Sequence, residues 1–295
     1  MNTRNILVKI RYFFLTKIIV GIAIIVGLIF FTEWFGHLLL APAPWTELTK
    51  TFIINGTEVI LTLLGYIIFF KWYENRKVDE LKPSAFWKNA TGGFISGFIL
   101  QSLFILVIYY SGNYSVIDLH PFSFVLQGFI YGLTAGFVAE ILILGVGFRI
   151  IEEKLGTVIA LSIMVMLFVI MHTSAKDATW LSVSSTVVSA GILLPAVYVY
   201  TRSLWFPIFL HFAWDFAEPA IYGGINPSLR IDRSWIESKI AGTAILTGGK
   251  FGPQSSLQSL IFCSITAFVF LLLAYKKNNF SKPFWKINNE VRSKI

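Results

Sequence analysis

The sequence predicts an all-α polytopic membrane protein of about eight transmembrane helices, on three observations. Hydrophobic residues make up 56% of the 295-residue chain and charged residues only 14%, against roughly 25% charged in a soluble domain. The apolar residues fall into runs of the length that a helix needs to cross hydrocarbon. Lysine and arginine also sort by connection: eighteen of the twenty-four lie at the two ends and in alternate connections, and six lie in the others. By the positive-inside rule this asymmetry places both termini in the cytoplasm, which requires an even number of spans.

Taken in order, residues 1–17 read as a cytoplasmic basic amphipathic lead-in and 18–275 as the eight-helix membrane domain. Residues 276–295 read as a basic, polar cytoplasmic tail. The run Ile18–Phe31 has the character of a signal-peptide core, with Ala41-Pro42-Ala43 as a cleavage site, but Pro44 would follow the cut. A retained first span is the expectation. The following spans are expected near 52–70, 94–110, 122–148, 158–172 and 181–200, the sixth kinked at Pro195. The seventh is Ser203–Ala217 and the eighth lies near 257–275. A connection with Asp118 and His120 but no lysine or arginine follows the third span, and a Gly-, Pro- and Ser-rich external segment covers 218–257. Cys263 stands alone in an apolar run, so no intramolecular disulfide forms. The net charge of +8 does not point to nucleic acid, because the basic residues flank apolar runs and do not interleave with aromatics along a groove.

Ionisable groups inside apolar spans are costly, by several kcal/mol each on the milder scales. They are the first place to look for function. His211 and Asp215 stand four residues apart on one helical face of the seventh span. His172 closes the fifth span and Glu140 lies in the fourth. Glu58 lies near the outer end of the second span, where it could reach the interface, while His37 and His120 read as solvated loop residues. Two imidazoles and two carboxylates suit zinc, with His172, His211, Asp215 and Glu140 as ligands, although no His-Glu-x-x-His signature is present. They equally suit metal-free hydrolysis, in which a carboxylate and an imidazole activate water and a second imidazole binds the developing oxyanion. A proton-coupled transporter also buries such groups, but it would carry paired inverted repeats, and none is visible.

These residues resemble the CPBP intramembrane proteases, the CAAX-protease and bacteriocin-processing family that includes the type II CAAX prenyl endopeptidases. That family carries Glu-Glu-x-x-x-Arg, then Phe-x-x-x-His, then His-x-x-x-Asn or Asp. The second motif is matched by Phe168 and His172, and the third by His211 and Asp215 in the context Tyr200–His211. The segments Arg76–Leu81 and Leu246–Pro253 are similar to many bacterial members, so the resemblance covers about 66–275. The first motif is degenerate. Ala139 occupies the first Glu position and Leu144 the Arg position, and only Glu140 is retained. Glu152 and Glu153 do not substitute, because Thr157 stands where their Arg would be.

The resemblance implies an intramembrane CAAX-protease fold in a bacterial plasma membrane, with a cavity between the fourth, fifth and seventh spans. It implies that His172 helps activate water, that His211 and Asp215 stabilise the oxyanion, and that Glu140 orients the site or replaces the missing base. No cofactor is favoured, and zinc is the alternative. The expected activity is an endopeptidase acting on membrane-associated peptides, prenylated or bacteriocin-type, weakened by loss of the first-motif Glu and Arg. A pseudoprotease that binds a membrane peptide or partner, in immunity or envelope regulation, is the competing expectation.

Overall fold

The computed structural model describes residues 13–225, 231 and 233–286. Most of the basic lead-in, the end of the basic tail and Arg230 lie outside the described residues. Helices α1 (Phe14–Leu40), α2 (Glu47–Trp72) and α3 (Phe86–Tyr110) come first. The fourth element runs from α4 (Val125–Glu140) through a π-helical turn, Ile141–Phe148, into α5 (Arg149–Leu155). Then come α6 (Thr157–Thr173) and a sixth element made of α7 (Trp180–Thr186), a π-turn Val187–Leu193 and α8 (Leu194–Thr201). The irregularity expected at Pro195 is this π-turn, which ends two residues before the proline. The last elements are α9 (Trp205–Phe216) with a π-turn Ala217–Ile221, the short α10 (Ala244–Thr247) and α11 (Leu257–Lys276).

Six of these elements are long and apolar enough to cross a membrane, and the chain is an all-α multi-pass membrane protein. The two shorter ones are α6 and α9. Seventeen residues at about 1.5 Å each reach only about 25 Å, short of a hydrocarbon core of about 30 Å. Neither needs lipid on all sides. Nine of the twelve α9 residues are buried, whereas α1 buries only Gly21, Ile25 and Thr32. Helix α9 is the centre of the bundle and α1 its edge.

Two glycine rows explain how α9 reaches the centre. Gly93 and Gly97 of α3 lie against one side of it, and Gly132 and Gly136 of α4 against another. A Cβ at Gly97 would sit 2.3 Å from the Leu210 carbonyl oxygen, and one at Gly136 would sit 2.6 Å from that of Ile208. The helix backbones therefore touch, as small residues four apart permit between membrane helices. The aromatic and aliphatic side chains of α9 pack outward from these seams, with Phe212 edge-on to Phe129 and tilted against Phe94.

The connection after α3 is not a simple loop. It contains β1 (Tyr114–Leu119), which pairs antiparallel with β2 (Ile236–Ile240) from the segment after α9. Tyr114 donates to the Tyr222 carbonyl at 2.9 Å, and the Ser238 hydroxyl donates to the same carbonyl at 2.8 Å, tying this sheet to the end of α9. His120, expected to be solvated, has a side chain only 28% exposed. Glu58 does not reach the interface either; it is buried beside Glu33 of α1, because α1 packs over that face of α2. His37 is exposed, as expected, with its ring 3.3 Å from Glu33.

At the other end, charges between elements are paired. Glu80, between α2 and α3, accepts hydrogen bonds from Arg76 at 2.5 and 2.9 Å and from the Tyr66 hydroxyl. Arg149 pairs with Glu153 and stacks over Phe70 at 4.2 Å. Arg202 binds Glu152 at 2.6 and 3.1 Å. Glu152 and Glu153 are thus structural ion-pair members. Burial alone would raise the Glu80 carboxyl, but the Arg76 guanidinium and the Tyr66 hydroxyl hold it below its ordinary value.

Gly136→Val is expected to lower unfolding stability by roughly 1–3 kcal/mol through overpacking, read as a shifted denaturation midpoint in detergent; an unshifted midpoint would refute the backbone contact. A carboxyl whose folded pKa is depressed contributes stability above its unfolded pKa and loses it as pH falls through the folded value. Stability should therefore decline as pH drops below the ordinary Glu value of 4.5. Glu80→Gln should flatten that decline in denaturant titrations at neutral and acid pH, and a parallel decline in the variant would contradict the assignment.

Candidate active site

Glu140 ends α4 and is 1% exposed. The α3–α9–α4 glycine seams bring it against α9, where its Oε1 lies 2.7 Å from Nδ1 of His211. The other ring nitrogen, Nε2, lies 3.4 Å from Oδ2 of Asp215, one turn further along α9. The imidazole is thus held between two carboxylates. The second Glu140 oxygen has no hydrogen-bond partner among the described residues.

His172 approaches from α6. Its ring stacks on Phe168 at 5.6 Å with planes 13° apart, and its Nδ1 lies 3.0 Å from the Phe168 carbonyl oxygen. A carbonyl only accepts, so Nδ1 carries the proton and Nε2 keeps a lone pair. The Phe-x-x-x-His spacing therefore has a physical meaning: one helical turn positions the ring, selects its tautomer and gives it a stacking partner.

His172, His211 and Asp215 line one cavity of about 600 Å³, between α4, α6, α9 and the π-turn after α7. Ala139 lines it as well. Glu140 does not; it stands behind His211. Adjacent helical positions diverge by about 100°, and here the short side chain faces the cavity while the carboxylate faces the neighbouring helix. Leu144 is fully buried in the hydrophobic core, on the π-turn that follows Glu140. Of the candidates, Glu140, His211 and Asp215 form a bonded chain, and His172 joins them across the cavity without being bonded to them in that chain.

The four do not gather as a zinc shell would. Glu140 contacts Nδ1 and Asp215 faces Nε2 on opposite sides of one ring, so their ligand atoms do not converge on a point with His172. The arrangement suits proton handling and hydrogen bonding at the ring better than metal ligation.

Three contributors were not singled out from sequence. Trp214 lines the cavity, and its Nε1 donates to Gln254 Oε1 at 3.0 Å. Gln254 lines it too, and its backbone N–H donates to Glu218 at 3.2 Å. Glu218 is fully buried, beside Gln101 of α3. The apolar pattern of α9 breaks near 217, so Glu218 resembled the start of an external loop; its spacing of three from Asp215 was the available signal. Leu246–Pro253 is similar to family members in sequence, and the structure places Phe251 of that stretch, with Gln254 and Ser255, on the cavity wall.

Residues 121–217 match the family model described as type II CAAX prenyl endopeptidase Rce1-like. This third of the chain holds α4 through α9 and every candidate motif residue. This match over a third of the chain supports the resemblance to the CPBP/CAAX proteases. No curated protein and no solved structure gives a significant match. Within the matched stretch, Phe168, His172, His211 and Asp215 border the cavity, and Ala139 contributes a methyl group to its wall.

Glu140→Ala removes the acceptor at His211 Nδ1 and is expected to cost about 1.5–3 kcal/mol, the range for a hydrogen bond to a charged group. Glu140→Gln retains a carbonyl oxygen and should cost less. Equal losses for the two in thermal unfolding would mean that the Glu140–His211 bond does not stabilise the bundle.

Proposed function

We propose that this chain is a pseudoprotease of the CAAX-protease family, binding a membrane-presented peptide in the cavity without hydrolysing it at an effective rate. The observation that carries this reading is the orientation at the end of α4: Ala139 on the cavity wall, Glu140 turned into His211. In the family, the first-motif Glu and the second-motif His together activate water. Here His172 offers an Nε2 lone pair, but no carboxylate stands at position 139 to share the proton. General acid–base assistance of that kind is worth about 10²–10⁴-fold, and its loss leaves a pocket more suited to binding than to turnover.

The remaining polar groups serve recognition. His211 with Asp215 and the Trp214–Gln254 pair offer hydrogen bonds to a peptide backbone, and apolar groups such as Leu193 and Leu210 accept side chains. The partner is a membrane-associated peptide or protein, of the kind met in bacteriocin immunity or envelope regulation. The lysine and arginine asymmetry supports cytoplasmic termini, and the family resemblance supports a bacterial plasma-membrane setting.

A second reading is favoured by a specific contact. Asp215 is a carboxylate that does face the cavity, 3.4 Å from His211 Nε2. That pair could sustain slow endopeptidase activity, with His172 as the second imidazole.

Quenched-fluorescent membrane peptides, presented to purified protein in detergent or vesicles, separate the two readings. The parent chain is expected to bind without measurable turnover, and Ala139→Glu to raise hydrolysis by about 100-fold or more. His172→Ala in that background should abolish the gain. Turnover by the parent chain that is lost in His172→Ala would establish the endopeptidase reading instead.

A further inference from the structure

We propose that Asp118, His120 and Glu237 form a binding site for a divalent transition-metal cation on the two-stranded sheet, apart from the cavity. The inference does not rest on the pseudoprotease reading. Asp118 lies on β1, His120 directly after it and Glu237 on β2. Among the described residues this is the one place where ligand atoms from three such side chains lie within 4.8 Å of one another.

Three observations point to a cation. First, Asp118 and Glu237 are cross-strand partners, and two carboxylates directly opposed destabilise a sheet unless something compensates them. The irregularity between Val116 and Asp118 interrupts the strand alternation just before Asp118 and re-aims its side chain. Asp118 Oδ1 is held by the Leu119 N–H at 2.8 Å, leaving Oδ2 for a ligand.

Second, the tautomer of His120 is set from behind. Its Nδ1 lies 3.1 Å from the Ser234 carbonyl oxygen. That oxygen only accepts, so Nδ1 carries the hydrogen and the neutral ring has its lone pair on Nε2. Nε2 faces Glu237 Oε2 at 3.2 Å. With the ring neutral, two acceptors would face each other at that distance, so a proton or a metal cation lies between them. A backbone carbonyl on the far nitrogen is also the usual support of a metal-ligating histidine.

Third, one ligand pair has the spacing of a bound cation, with the Asp118 ligand atom within 4.8 Å of both. Zinc–nitrogen and zinc–oxygen bonds of about 2.0–2.1 Å place tetrahedral ligand atoms about 3.3 Å apart, close to the Nε2–Oε2 separation of 3.2 Å. One imidazole and two carboxylates suit a borderline cation better than magnesium or calcium, which take oxygen ligands. The ring is partly buried while both carboxylates are exposed, giving a held ligand and an open approach. The rival explanation is a proton on Nε2, making a simple ion pair that needs no metal.

The test uses the full-length protein in detergent, stripped with a chelator and titrated with zinc chloride by calorimetry, with zinc-dependent thermal unfolding as a second readout. His120→Ala and Glu237→Gln alter the exposed sheet and leave the helical bundle intact, which circular dichroism verifies. Zinc should bind the parent chain and raise its unfolding temperature. Each variant should weaken binding at least tenfold and lose the thermal shift. Smaller weakening in both variants, or no zinc uptake by the parent chain, overturns the assignment and leaves the proton as the centre between the two groups.

Discussion

The close approach of α4 to α9 governs this molecule. A β-carbon at Gly136 would lie 2.6 Å from the Ile208 carbonyl oxygen of α9, and that close contact lets the last residue of α4 reach an imidazole on α9. In lipid there is no hydrophobic gain from bringing two apolar helices together, so van der Waals contact along the backbones and the polar bond at the end must hold the pair. The Glu140–His211 bond and the glycine seams are two parts of one interface. A wider separation would leave the buried Glu140 carboxylate without its partner and His211 with Asp215 alone, a costly state in low dielectric.

The same interface decides the chemistry. The rotation of α4 that points Glu140 at His211 points residue 139 at the cavity. In a chain with two consecutive acidic residues there, one carboxylate would brace the histidine and the other would face the cavity. Here the bracing half is retained and the facing half is a methyl group. The π-turns at 141–148, 187–193 and 217–221 adjoin this region from three elements, and such turns recur where a helix is adapted around a site. At this point of the fourth element the cavity wall therefore carries the Ala139 methyl group, with the Glu140 carboxylate turned behind His211.

Much of the site was legible beforehand because it rests on local spacing. Phe168 and His172, like His211 and Asp215, are one helical turn apart, and each pair acts together in the fold as that spacing requires. That residue 139 and Glu140 point in different directions was also legible, because adjacent helical positions diverge by about 100°. Glu218 and Gln254 were not, since one sits beyond the end of an apolar pattern and the other in a Gly- and Pro-rich segment with no period. The glycine row 128, 132 and 136 was present in the sequence as a fourfold spacing, but its partner helix was not.

By itself, the sequence determined that the chain is a helical membrane protein, where its helices lie, and which family its motifs resemble. Apolar run length, helical spacing and charge asymmetry are all properties of short stretches. Only the tertiary structure decided that residue 139 and not Glu140 faces the cavity. It alone turned the connection with Asp118 and His120 into a strand paired with residues 236–240, and seated the segment around Gln254 beside Trp214. Those outcomes depend on helix rotation and on contacts between distant parts of the chain, which packing sets and no local pattern encodes.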